Sequence, residues 1–284
     1  MMKKIGFIDY YINEWHADNY PSMIAESAYA GNFEVALAWE ETSVEGRKPI
    51  DLWCAEMGIA RAESIEQVIE ECDCLVVLSP DNPERHEDLS MLPLASGKPV
   101  YVDKPFADSF AAARRMVERA RKFKTPLMSS SALRFDSTVT NALTQIGDNT
   151  VNFFSARGPG EFAIYGIHQI EPMVTLMGVG AKRVMQCGNE RTKLMVTDYG
   201  DGRRGVVNLI PNCPFQFNVS YGDGGIVAVN DMQDFFARFI DSMLGFFETG
   251  ESPIPIEQTL EVAALIESGS QALDRMDEWV DVAG

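Results

Sequence analysis

The strongest constraint on the fold of this chain is a series of short, wholly apolar runs, each followed by a stretch with helical periodicity. Leu75-Val76-Val77-Leu78 is the clearest of these runs. It offers no polar side chain to water, so a strand made of it must be covered on both faces. Residues 3–8, 33–39, 99–103 and 126–130 read as further strands. Residues 51–57, 64–71, 84–96 and 110–123 read as helices, and an earlier helical stretch runs to about residue 30, interrupted near Pro21 and closed by Gly31. Ser64 stands at an N-cap position with Gln67 three residues on, the spacing of a capping box. Alternation of this kind predicts a doubly wound parallel sheet with helices on both sides.

Beyond about residue 130 the texture changes. Residues 151–155, 183–187, 191–197, 205–210, 215–221 and 226–229 follow one another with short turn-like links, which predicts a mostly antiparallel sheet. Two long helical patterns, 231–248 and 256–276, come after it. The expected organisation is therefore a domain over residues 1–125 and an α+β domain with an open-faced sheet over residues 126–284. Phe215, Phe217, Val219 and Tyr221 alternate with Gln216, Asn218 and Ser220. One face of that strand is thus apolar and the other polar but uncharged, which suits a face covered by a second subunit in a homodimer or homotetramer.

Composition narrows the partners. With 46% hydrophobic and 23% charged residues the chain is of globular type, and its net charge of −18 is shared by both halves. That charge argues against nucleic acid and anionic membranes as partners and leaves a small-molecule substrate. The five cysteines are odd in number and lack metal-ligand spacing; Cys72 and Cys74 would share one strand face and read as reduced core residues. The apolar stretch at residues 5–8 is too short for a signal segment, and no run reaches membrane-spanning length, so the expected location is the cytoplasm.

In an open α/β sheet, ligands bind outside the carboxyl ends of the strands. Those ends are Asp9-Tyr10-Tyr11, Glu40-Glu41, Ser79-Pro80-Asp81-Asn82 and Asp103-Lys104-Pro105. A lysine held at a strand end between a carboxylate and a proline is placed for proton transfer. The segment Gly97-Lys98-Pro99-Val100-Tyr101-Val102-Asp103-Lys104-Pro105 resembles the Gly-Lys-x-Val-x-x-Glu-Lys-Pro hallmark of the Gfo/Idh/MocA family of nicotinamide-dependent oxidoreductases. Residues 73–82 followed by His86 are similar to that family's strand, proline loop and histidine. Ser131-Ala132-Leu133-Arg134-Phe135 and Gly166-Ile167-His168 fall where its second domain begins and where its Gly-x-His helix lies.

The resemblance implies a Rossmann-type first domain, NAD rather than NADP, and hydride transfer to or from a small polyol, sugar or related hydroxy compound. It assigns proton shuttling to Lys104 and orientation of the substrate hydroxyl to His168. Asp9, Tyr10, Ser79, Pro80, Asp81, Asn82, His86, Asp103, Lys104 and Pro105 are expected along the cofactor, with Glu40 facing the adenosine ribose, where it would repel a 2′-phosphate. Arg134, Arg157 and Tyr165 are expected near the substrate. His16 reads as structural.

Two departures stand out. The first strand should open into Gly-x-Gly-x-x-Gly so that backbone amides can approach a pyrophosphate, but residues 9–14 read Asp-Tyr-Tyr-Ile-Asn-Glu. Each carboxylate near a phosphate would cost on the order of a few kcal/mol with surface-like screening. Position 164, where the family usually carries aspartate, is isoleucine. An alternative expectation follows: a non-catalytic relative, with dinucleotide binding weakened or lost, that serves as a binding or assembly module.

Overall fold

The computed structural model describes residues 2–284 and divides into two compact units, one of residues 2–130 with Ile240–Ile256, the other from Ser131–Phe239 with Glu257–Gly284.

The first unit runs β1 (Lys3–Asp9), α1 (Trp15–Ala25), β2 (Phe33–Glu40), α2 (Ile50–Met57), β3 (Ala60–Arg61), α3 (Ile65–Glu71), β4 (Cys74–Val77), α4 (His86–Ser90), β5 (Val100–Val102), α5 (Phe110–Phe123) and β6 (Leu127–Met128). Its six strands lie in the order β3-β2-β1-β4-β5-β6, and every neighbouring pair is parallel. This is the expected doubly wound Rossmann-type sheet, with the chain switching sides between β1 and β4. The apolar runs are buried as their composition requires, β4 on both faces throughout. Gly6 lets α3 lie close on β1, since a Cβ there would stand 2.2 Å from Val68 Cγ1. β6 completes this sheet, and residues 240–256 return to the first unit, so the two units do not part at residue 125.

Local expectations hold where capping and periodicity agree. The Ser109 hydroxyl accepts from the Ala112 amide and starts α5 at Phe110. The Ser64 hydroxyl accepts from Gln67 N while Gln67 Oε1 accepts from Glu63 N, a shifted capping box. The stretch expected as one helix over 84–96 is instead three short turns of helix, because Pro83 and Pro93 each open a new one. α1 runs through Pro21 and stops at Ala25.

The second unit comprises α6 (Ser137–Ile146), β7 (Val151–Gly158), α7 (Phe162–Met177), β8 (Arg183–Gly188), β9 (Lys193–Asp198), β10 (Arg204–Leu209), β11 (Gln216–Tyr221), β12 (Gly225–Val229), α9 (Ile256–Leu273) and β13 (Val280–Asp281); α8 (Phe235–Thr249) begins in it and ends in the first unit. The seven-stranded sheet has the order β12-β11-β7-β10-β9-β8-β13 and is antiparallel except where β10 pairs with β7. Phe217 and Val219 face the core, with Phe217 stacked on Phe154 at 5.9 Å. α7 lies against β10 where Gly205 has no side chain to obstruct Met173. Five free cysteines are present, with Cys54, Cys72 and Cys74 buried. Among the described residues no helix is long and apolar enough to cross a membrane.

Candidate active site

The parallel register brings four strand ends to one edge of the first unit. The Glu41 amide donates to the Asp9 carbonyl, Leu78 N to Ile8 O, and Asp103 N to Val77 O. The acids and the lysine read from the sequence therefore converge at the carboxyl end of the sheet.

Asp103 is fully buried, with Oδ1 accepting from Tyr101 Oη at 3.0 Å and Oδ2 lying 3.3 Å from His16 Nδ1. Burial works against its charge, but His16 and Lys104 outweigh burial and hold its carboxyl below the usual range. Lys104 follows at 9% exposure. The peptide joining it to Pro105 is cis. His86 is fully buried and its Nδ1 donates to the Pro105 carbonyl at 2.8 Å. Burial pulls its pKa down, favouring the neutral ring. It supports the backbone after Lys104 and presents no surface to a cofactor, contrary to its expected place along one. Ser79, after β4, adopts φ 83°, an uncommon conformation for a residue with a side chain, and its hydroxyl donates to Asn82 O at 3.2 Å. Pro80 is buried, whereas Asp81 is exposed and accepts from Tyr11 Oη at 3.1 Å.

The turn from β1 to α1 differs most from expectation. Glu14 is the N-cap of α1; its Oε2 accepts from His16 N at 2.7 Å and its Oε1 from Ala17 N at 2.5 Å. Its side chain is almost wholly buried and lies 3.3 Å from His16 Nδ1. Glu40, expected to face a ribose, accepts from Ile12 N at 3.0 Å and from Ser43 Oγ at 3.0 Å. Tyr10 lies under Arg85, which pairs with Glu41, and Tyr11 lies under Arg47, which donates to Asn13 O. Burial, then the Asp81 carboxylate, pushes the Tyr11 hydroxyl up to about 12, so it remains a donor. His16, expected to be structural, lies between two acids whose convergence the sequence does not reveal. Burial lowers its pKa, but Asp103 and Glu14 together raise it above the ordinary histidine value, favouring the charged ring between the two acids.

Asp9 is fully buried in this cluster, and burial, with Glu14 and Asp103 adding, raises its pKa well above the usual carboxylate range. A group with a raised folded-state pKa stabilises fully below its unfolded value, about 3.9, and loses that contribution as pH rises through the folded one. Asp9→Asn should therefore match the wild type near pH 4 and exceed it in stability as pH rises, by up to about 1.4 kcal/mol per pH unit until the folded pKa is reached. Urea titrations from pH 4 to 8 check this, and an asparagine variant equally weakened at every pH would contradict it.

The second unit holds the other expected residues. His168 on α7 is half-buried; its Nδ1 lies 2.7 Å from Ser131 Oγ, and the rings of Tyr165 and Phe215 stand edge-on at 5.5 and 5.7 Å. Arg157 is exposed and donates to Gln216, and Arg157, His168 and Phe215 line one hollow. Arg134 departs from its expected substrate contact. It is 9% exposed, and its guanidinium pairs with the buried Glu171 at 2.8 Å and donates to Gln258. Charge at position 134 therefore serves the core of this unit.

Ser79, Asp103 and Lys104 stand at the strand ends expected on the nicotinamide side and are 3%, 0% and 9% exposed, while the amides that would receive a pyrophosphate already bond Glu14 and Glu40.

A doubly wound sheet in this order, with an open-faced sheet unit after it, is a Rossmann-type topology joined to an α+β unit. Residues 15–130 match the model of the Gfo/Idh/MocA group, described as an oxidoreductase family with an NAD-binding Rossmann fold, so the first unit is similar to that family over most of its length. The match begins one residue past Glu14, so the altered turn lies outside it. An uncharacterised protein of Sinorhizobium fredii, y4oX, is 29% identical over 123 residues, 42% of this chain; the match spans about a third of that relative's length, 33%. The solved scyllo-inositol dehydrogenase of Lactobacillus casei, with NAD(H) and scyllo-inositol bound, is similar in fold at TM-score 0.80 and 14% identity, covering 100% of both chains. A probable dehydrogenase from Thermotoga maritima reaches 0.78 at 16% identity, covering 98% of each.

Proposed function

We propose that the chain is a nicotinamide-dependent oxidoreductase acting on a small polyol, sugar or related hydroxy compound. The observation that carries this reading is Lys104, nearly buried beside the ionised Asp103 at the carboxyl end of β5. The bound dinucleotide would supply the hydride acceptor or donor. Lys104 takes the proton of the substrate hydroxyl, or returns it, and Asp103 stabilises the charged amine. The family resemblance gives orientation of that hydroxyl to His168 and substrate contact to Arg157 and Tyr165; within its own unit the His168 Nδ1 lies 2.7 Å from Ser131 Oγ. Glu40 at the end of β2 disfavours a 2′-phosphate, so NAD is preferred over NADP. The open face of the seven-stranded sheet carries Gln216, Asn218 and Ser220 and serves contact with a second copy. The reduced thiols suit the cytoplasm. Support comes from the family match and from the inositol dehydrogenase fold neighbours.

One observation favours a second reading, in which the scaffold is kept as a binding module: the α1 terminus is already capped by Glu14. Thermal melting with NAD, together with a panel of inositols and sugars followed by nicotinamide absorbance, separates the two. Binding at a hundred times Kd adds about 2.7 kcal/mol, raising Tm by a few degrees. Absence of any shift at millimolar NAD or NADP, together with absence of turnover of every compound, would select the second reading.

A further inference from the structure

The amide donors at the start of α1 are where a phosphate-bearing ligand would seat in a sheet of this topology, since the helix dipole and unpaired N–H groups both favour an anion there. In this chain they hold an anion that belongs to the chain itself. Both oxygens of the Glu14 carboxylate accept from that first turn, at His16 N and Ala17 N. The acid is 3% exposed. His16 holds it from the other side, with Nδ1 3.3 Å from Glu14 Oε2 and 3.3 Å from Asp103 Oδ2. The latter oxygen is buried and makes no hydrogen bond of its own. The turn is tied down further where Glu40 accepts from Ile12 N and Asn13 Oδ1 accepts from Lys48 N.

We infer that Glu14 is a latch: its carboxylate holds the place on the α1 terminus that a pyrophosphate needs, and the His16–Asp103 pair keeps it there. This rests on the reading that the carboxyl edge of the first sheet takes a dinucleotide, and it adds that such a ligand gains the α1 amides only when Glu14 leaves them. Loss of the glycines is then only part of the barrier. A bound carboxylate must be displaced, and while it stays its negative charge opposes an incoming phosphate.

Calorimetric titration with adenosine diphosphate, which carries the pyrophosphate without a nicotinamide, tests the latch in the full-length wild type, Glu14→Gln and Glu14→Ser. Serine keeps a short cap without charge, and glutamine keeps the shape with one acceptor oxygen, so at least one variant should retain the fold. The expected result is binding at least tenfold tighter in the serine variant than in the wild type, about 1.4 kcal/mol, with glutamine between them. The His16 and Ala17 amide signals should move on titration of the serine variant. Equal affinities across the three folded proteins, or a gain that leaves those two amides unmoved, would overturn the latch. A gain in the variants without hydride transfer to any substrate would leave the latch standing and remove the oxidoreductase reading.

Discussion

Replacing Glu171 by alanine should destabilise the second unit by about 3–5 kcal/mol, the usual result of leaving one buried charge without its partner. Glu171 is 3% exposed, pairs with Arg134 and accepts from the Ser131 amide. Its loss leaves a guanidinium 9% exposed with only Gln258 to satisfy it. For a domain whose whole stability is about 5–15 kcal/mol, a change of that size reaches the edge of folding. The double variant Arg134→Met with Glu171→Leu should recover most of the loss, because a buried ion pair exchanged for apolar residues of similar volume is often neutral or better. Denaturant unfolding of the single and double variants decides it. A single variant within about 1 kcal/mol of wild type would show that water reaches the pair.

The second large effect concerns Lys104. If it carries the substrate proton, Lys104→Ala should lower turnover by about 10²–10⁴-fold, the range for general acid–base groups. Lys104→Arg is the more telling variant: it keeps the positive charge beside Asp103 but cannot give up a proton near neutral pH. Turnover of the arginine variant should therefore fall as far as that of the alanine variant, while the melting shift with NAD stays. An arginine variant within tenfold of wild type would reduce Lys104 to an electrostatic contact.

Much of the first unit is legible in the sequence because separate signals coincide there. α5 starts where Ser109 caps and follows a single apolar stripe, so periodicity and capping name the same residues. β4 is the most legible strand because burial on both faces leaves it no charged or strongly polar residue. α6 went unread: Ser137 to Ile146 is rich in Thr, Asn and Val, which favour helices weakly, and its apolar face is narrow. The 84–96 stretch was read as one helix because its apolar spacing continues across Pro93, although the backbone does not.

At the candidate site the sequence reveals residue types but not their commitments. Asp9 and Glu14 read as like charges opposing a phosphate. Nothing in the pattern shows that Glu14 folds back on its own helix, since glutamate is not among the preferred N-caps. Nor does it show that His16 sits between two acids brought together from α1 and the end of β5. Arg134 is expected at the substrate only through the family resemblance of residues 131–135. Its partner Glu171 lies 37 residues on, a pairing only the fold makes.

The return of residues 240–256 to the first unit bears on how the molecule is made. Phe247 lies 6.4 Å from the Phe33 ring, Lys3 pairs with Glu248, and Asp241 accepts from the Ala28 amide. A ribosome that has released Ser130 has therefore not yet supplied all of the first unit, and at about 5–20 residues per second the missing helix arrives on the order of ten seconds later. During that interval Phe33 and its neighbours lack their aromatic cover. A fragment ending at Ser130 should accordingly be prone to aggregate, and the 240–256 peptide added in trans should rescue it.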